Sequence, residues 1–245
     1  MDSNRRKFLI TGGSALLSSG LVLPLSALEQ QKGAETKKAA PPKAGAKAEE
    51  EKEEEVSTNE DLMREHGVLN RVLLIYDEAV RRIRAKQDFD PAVIGSAAQL
   101  IKSFIEDYHE KLEENYLFPR FEKAGKMIEL TVNLRAQHAM GRRITDRLLT
   151  FAKSKDKDRA PMAESLEQFI RMYRPHEARE DTVLFPAFHQ IVSPHEYDAL
   201  GEEFEQIERK TFGGDGFEMA VAKVTDLEKQ LGIYDLAQFT PNVPM

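Results

Sequence analysis

The chain carries one motif twice. Residues 109–121 read His109-Glu110-Lys111-Leu112-Glu113-Glu114-Asn115-Tyr116-Leu117-Phe118-Pro119-Arg120-Phe121, and residues 176–188 read His176-Glu177-Ala178-Arg179-Glu180-Asp181-Thr182-Val183-Leu184-Phe185-Pro186-Ala187-Phe188. Both are H-E-x-x-E-E/D-x-x-L-F-P-x-F. A weaker echo precedes each copy: His66 is followed by Arg71, and His138 by Arg143. Such a repeat constrains the fold strongly, because each half must give its copy an equivalent environment. It sets four of the six histidines, and two glutamates, at equivalent positions.

The pattern around the motif is helical. Ser57-Thr58-Asn59-Glu60 reads as a capping box, and Leu62, His66, Leu69, Val72, Leu73, Tyr76 and Val80 follow at spacings of three and four. That is one amphipathic stripe, and the helix should run to about Ala85. Asp90-Pro91 restarts a helix that carries Ile94, Ala98, Ile101, Ile105, His109, Leu112 and Tyr116 inward. Pro119 should kink or end it, and Gly125 marks the turn. A third helix is expected over about 127–153 and a fourth over about 161–191, with Pro175 inside it. No alternating β-branched run interrupts these stripes. The expectation is an all-α fold, an up-down-up-down four-helix bundle over residues 57–192. Ser193-Pro194 and the glycines at 213, 214 and 216 bound two extra C-terminal helices within a 193–245 extension. Its tail, from Tyr234, should lie as an extended strap.

The chain ahead of the bundle reads differently. Arg5-Arg6-Lys7-Phe8-Leu9 resembles the twin-arginine motif, an apolar run follows to Leu25, and Leu25-Ser26-Ala27 resembles a cleavage region. Residues 1–27 are expected to be a twin-arginine-type signal peptide that directs the protein to the bacterial periplasm and leaves no stable membrane span. An uncleaved N-terminal membrane anchor is the alternative. Residues 28–56, rich in Ala, Lys, Glu and Pro, read as a disordered linker.

In the bundle, His109 and Glu113 stand at i and i+4, as do His176 and Glu180, so each pair projects from one helix face. His66 faces His109 across one pair of neighbouring helices, and His138 faces His176 across the other. Carboxylates one turn from a histidine in a bundle core can bridge two metal ions. The chain has no cysteine, so disulfides, thiolate zinc and thiolate-bound iron-sulfur clusters are excluded. Imidazole and carboxylate suit iron or manganese, and zinc shares the set. The net charge of −7 argues against a nucleic-acid partner.

His66, His109 with Glu113, His138, and His176 with Glu180 make the chain resemble a hemerythrin-like, HHE cation-binding domain over about residues 60–190. The resemblance implies two non-haem iron ions bridged by both glutamates and an oxygen. It also implies binding of O2, and in some members NO or iron sensing or repair of damaged iron sites. One position departs: the fifth histidine of oxygen carriers, four residues after His138, is Arg142 here. Glu110 is the candidate additional ligand. The expected function is therefore a di-iron binding protein that binds or senses O2 or NO, or holds iron. The alternative is a di-iron redox enzyme for peroxide reduction, iron oxidation or iron-site repair. Glu177, Glu114, Asp181, Arg71 and Arg143 are expected on solvated faces or in surface ion pairs, and His189 and His195 on the surface. Phe118, Phe185 and Tyr173 are expected in the core.

Overall fold

A computed structural model describes residues 56–156 and 158–241. The expected signal peptide, and all of the expected linker but Val56, lie outside them. The described residues are helical, with no strand among them. Helix α1 is Thr58–Arg84, α2 covers residues 92–124 and α3 is Ile128–Lys153. Helix α4 covers residues 160–188, α5 is Pro194–Phe212 and α6 is Gly216–Leu231.

The first four helices form a ring in which α1 packs on α4, α4 on α3, α3 on α2 and α2 on α1. Their connections are short, which makes sequential neighbours antiparallel. The stripes read from the sequence are the buried faces: Leu62, Leu69, Val72, Leu73 and Tyr76 of α1 meet Leu166, Phe169 and Tyr173 of α4 in one core. Burying an aliphatic or aromatic side chain of this size contributes about 1.5–3 kcal/mol, so the core dominates what holds the ring closed.

The Ser57 hydroxyl caps α1, accepting from the Glu60 N–H at 3.3 Å. The next two residues fasten this end to other helices, Thr58 by donating its hydroxyl to the Tyr197 carbonyl at 3.0 Å. Asn59 donates its side-chain N–H to the Phe185 carbonyl at 2.6 Å and its backbone N–H to the Tyr197 hydroxyl at 2.7 Å. At the α2–α3 turn Gly125 adopts φ 65°, a left-handed helix end that favours glycine.

Pro119 does not end α2. The helix passes through it by widening to a π-helical turn over Glu113–Leu117, in which the Phe118 N–H reaches the Glu113 carbonyl. The second copy does the same over Glu180–Leu184, with the Phe185 N–H on the Glu180 carbonyl. The proline after each phenylalanine has no N–H to offer, and its ring would press on the carbonyl four residues back. A wider turn relieves both. A third π-helical stretch, Ile101–His109, ends on His109. Such turns concentrate at functional sites. Pro175 lies on the exposed side of α4.

Helix α6 covers the groove between α1 and α2, burying Val224, Leu227 and Leu231. Arg71 pairs with Glu228 at 2.5 Å, and the Arg64 guanidinium lies 4.3 Å from the centre of the Phe217 ring. The described part of the tail, residues 234–241, is exposed rather than packed as a strap: Ile233 is the last buried residue among those described, and Leu236–Phe239 form an exposed 3-10 turn.

Candidate metal centre

All six residues singled out by the repeat converge on one point in the bundle interior, and all are buried: His66, His109, Glu113, His138, His176 and Glu180. His66 of α1 and His109 of α2 bring their Nε2 atoms to 3.0 Å, and His138 of α3 and His176 of α4 bring theirs to 3.2 Å. The glutamates lie between the pairs. Glu113 Oε2 is 3.7 Å from His109 Nε2 and 3.5 Å from His138 Nε2. Glu180 Oε2 is 3.1 Å from His176 Nε2 and 3.4 Å from His66 Nε2. Each carboxylate thus faces one histidine of its own helix and one of the opposite pair.

Each ring is aimed from behind. His66 Nδ1 meets Asp181 at 2.7 Å, His109 Nδ1 meets Glu65 at 2.7 Å, and His138 Nδ1 meets Glu114 at 3.1 Å. His176 Nδ1 meets the side-chain oxygen of Gln137 at 2.9 Å. Every one of these partners accepts, so every ring carries a proton on Nδ1 and turns Nε2 inward. Phe185 stacks on His66 at 5.5 Å and Phe118 on His138 at 5.6 Å. The phenylalanines of the motif are core residues, as expected, and they are also the walls of the centre.

The donor set fits cations. Both carboxylate oxygens of Glu113 and of Glu180 are buried without a hydrogen bond, a costly state for any polar group and most costly for a charged one. Two fully buried triads can each hold a metal ion, His66 with His109 and Glu113, and His138 with His176 and Glu180. With metal–nitrogen bonds of about 2.1 Å, adjacent ligands at right angles stand about 3.0 Å apart, close to the Nε2 separations seen here.

Without a metal, protons fill the same role. Burial presses the His66 imidazole toward neutrality, but the hydrogen bond to Asp181, the close approach of Glu180 and the charges of both more than reverse this and raise its pKa from 6.5 to about 10. Burial and the His66 charge push His109 well down. Burial, reinforced by Glu180 and Glu110, pushes Glu113 well up. Burial also opposes ionisation of Glu180, but His176 and His66 hold it well below the usual carboxylate range. The metal-free centre therefore pairs a charged His66 with an ionised Glu180 beside a protonated Glu113.

The candidate ligand Glu110 groups with Glu114 and His138, a third set that could hold a metal ion, and both its oxygens have partners. Tyr173 donates its hydroxyl to Glu110 Oε1 at 2.6 Å, and Arg142 binds Glu110 Oε2 at 2.6 Å. Arg142, at the position of the missing fifth histidine, also reaches Glu114 at 2.8 Å. Gly141 makes room for this cluster, since a Cβ there would overlap the Tyr173 hydroxyl and stand 2.8 Å from its ring carbon Cζ. Glu177, expected on a solvated face, is buried, as is Glu110, because the interior extends beyond a narrow stripe on α2 and α4. Burial pushes the Glu177 carboxyl up to about 7, and its Oε2 has no hydrogen bond. Asp181 and Glu114 are not merely surface charges but the supports of His66 and His138. Glu65 and Gln137 escaped the sequence reading. A signal was present: each immediately precedes one of the repeat-related histidines. His189, His195 and Arg143 are exposed as expected.

The comparisons with known proteins agree with this centre. Residues 57–227 match the model of the hemerythrin HHE cation binding domain. Uncharacterized protein Rv1995 of Mycobacterium tuberculosis and Uncharacterized protein Mb2018 of Mycobacterium bovis are each 50% identical to the chain over 191 residues. The alignments cover 76% of this chain and 75% of each relative. No solved structure gives a significant match. The family match spans the whole four-helix bundle and every residue of the centre, and the chain belongs to the hemerythrin HHE cation-binding family.

Proposed function

We propose that the bundle holds two non-haem iron ions, one on each histidine pair with Glu113 and Glu180 shared, and that the centre binds or senses a diatomic ligand, O2 or NO, or holds iron. The observation that carries this reading is the position of the two glutamates, each facing a histidine of both pairs and neither satisfied by a hydrogen bond. Manganese and zinc share the ligand set. Bound iron would supply a redox-active Lewis acid with a position open to a small molecule. The chain's own residues do the rest. The Nδ1 partners hold four imidazoles in the metal-binding tautomer, while Phe118 and Phe185 wall the centre against water.

A second reading, a di-iron redox enzyme for peroxide reduction, iron oxidation or iron-site repair, draws on Arg142. The guanidinium stands where oxygen carriers have a fifth imidazole and is tied to Glu110 and Glu114, which leaves fewer nitrogen ligands and more open positions. The motif at Arg5 and Arg6 supports export by the twin-arginine route, with a periplasmic site of action. Among the described residues no helix is long and apolar enough to cross a membrane.

Metal analysis of protein purified without chelator tests the reading, together with an absorption spectrum of the reduced form before and after air. Two irons per chain, falling in His109→Ala and His176→Ala, are expected. A spectrum that reverses under argon supports binding, and turnover of peroxide or Fe(II) supports the enzyme. Retention of two irons in both variants refutes the ligand assignment.

A further inference from the structure

We infer that the two metal positions are unequal and that Gln137 sets the difference: the ion on His66 and His109 is resident, and the ion on His138 and His176 is exchangeable. This rests on the two-ion reading above.

The ligands themselves are symmetric. Each position has two imidazole nitrogens, and Glu113 and Glu180 each face one histidine of either position. The asymmetry lies behind the rings. His66 and His109 are both backed by carboxylates, Asp181 and Glu65, each at 2.7 Å. His176 is backed by the amide oxygen of Gln137 at 2.9 Å. His138 is backed by Glu114 at 3.1 Å, and that carboxylate is also claimed by Arg142 at 2.8 Å and Lys111 at 2.6 Å. One pair therefore has two anionic supports at short distance. The other has a neutral amide and a carboxylate whose charge two cations share.

A carboxylate behind a ligating imidazole draws on its Nδ1 proton and makes Nε2 a stronger donor, whereas an amide fixes the orientation of the ring without adding charge. The negative charge of the support also attracts the cation directly, with little screening at buried Glu65 and more at the partly exposed Asp181. Both effects favour the His66–His109 position. Gln137 is the repeat counterpart of Glu65: each directly precedes a histidine of one pair and supports the histidine across the interface. The two supports differ by an amide in place of a carboxylate, on matching backbone positions. The consequence is stepwise loading, in which the His138–His176 position fills last and empties first. A protein built this way keeps one ion and can hand over the other.

Titration of the metal-free full chain with Zn(II) by calorimetry, and with Co(II) by visible absorption, tests this. Two steps separated by about 10–100-fold in affinity are expected, the range by which outer supports alter metal binding. His176→Ala should keep the tighter step and His66→Ala should lose it. Gln137→Glu should tighten the weaker step about tenfold or more. Glu65→Gln should weaken the tighter one, and it serves as the test if circular dichroism shows that Gln137→Glu has not folded. Two steps of equal affinity, or a weaker step that Gln137→Glu leaves unmoved, overturn the inference while leaving two-ion binding intact. A wild-type chain that takes up no metal sinks the two-ion reading itself.

Discussion

Metal binding should tighten steeply with pH, because protons occupy the centre when metal does not. The perturbation is a change from about pH 6 to about pH 8, a span in which a metal must displace bound protons to reach its ligands. His66 is charged in the metal-free protein, with its pKa raised from 6.5 to about 10. That raised pKa stabilises the metal-free fold fully below pH 6.5, and the contribution is lost as the pH climbs through about 10. Across the chosen span an incoming ion therefore expels the His66 proton. Each proton expelled makes the apparent affinity rise about tenfold per pH unit, or about 1.4 kcal/mol. Glu113 is also held protonated by burial and by Glu180 and Glu110, and its proton must leave when the carboxylate binds. The slope is thus at least about tenfold and rises to about a hundredfold per unit where both protons go. Competition against a chelator of known pH dependence gives the slope. Calorimetry in two buffers of different ionisation enthalpy counts the protons released. A flat affinity with no proton release would mean that the metal-free centre stores no proton on His66, and the electrostatic account of the site would fall with it.

Three further outcomes follow from the surroundings of the centre. Gly141→Ala places a methyl group on the Tyr173 hydroxyl and forces it from Glu110. Overpacking of about 1–3 kcal/mol and a lost charged hydrogen bond of about 1.5–3 kcal/mol should together cost about 3–5 kcal/mol in urea unfolding, and less than additively with Tyr173→Phe. Arg142→Leu strips the cation from buried Glu110 and should cost about 3–5 kcal/mol, much of it recovered by Glu110→Gln in the same chain; a thermal melt of the two variants decides. Ser57→Ala removes a cap remote from the ligands and should cost about 1 kcal/mol with metal stoichiometry unchanged.

The helical stripes were legible because an amphipathic helix announces its buried face by period alone. The ligand set was legible for a different reason, the repeat: His66 by itself is an ordinary histidine on an apolar stripe, and only its match with His138 marks it. What period and repeat do not encode is direction at the level of a single residue. Glu110 and Glu177 follow ligand histidines by one position, which on a regular helix is about 100 degrees away, yet both are buried. The π-helical turns at Glu113 and Glu180 were hidden as well. Pro119 signalled a disturbance, but whether a helix kinks, stops or widens depends on what the neighbouring helices hold in place. The supports behind the rings come from other helices, so adjacency to a ligand marks them but no spacing along one helix tells which ring each holds: Glu65 of α1 holds His109 of α2, and Asp181 of α4 holds His66 of α1.

The repeat also accounts for where the two halves part. Equivalent positions supply the ligands, the phenylalanine walls and the π-helical turns that start at Glu113 and Glu180, and these stay matched. Around them the matches fail in a coordinated way. Tyr173 occupies the position equivalent to Glu106, and Gly141 the position equivalent to Leu69. The two changes need each other, because only the missing Cβ of Gly141 lets the tyrosine hydroxyl reach Glu110. Arg142 then satisfies the other oxygen of Glu110. The equivalent carboxylate, Glu177, has no such cluster and keeps an oxygen without a hydrogen bond. A symmetric ligand cage cannot by itself distinguish one end from the other. A sealed, hydrogen-bonded flank at Glu110 and an unsatisfied carboxyl at Glu177 give this cage two different ends, and a centre with different ends can admit, orient or release what it binds in one direction.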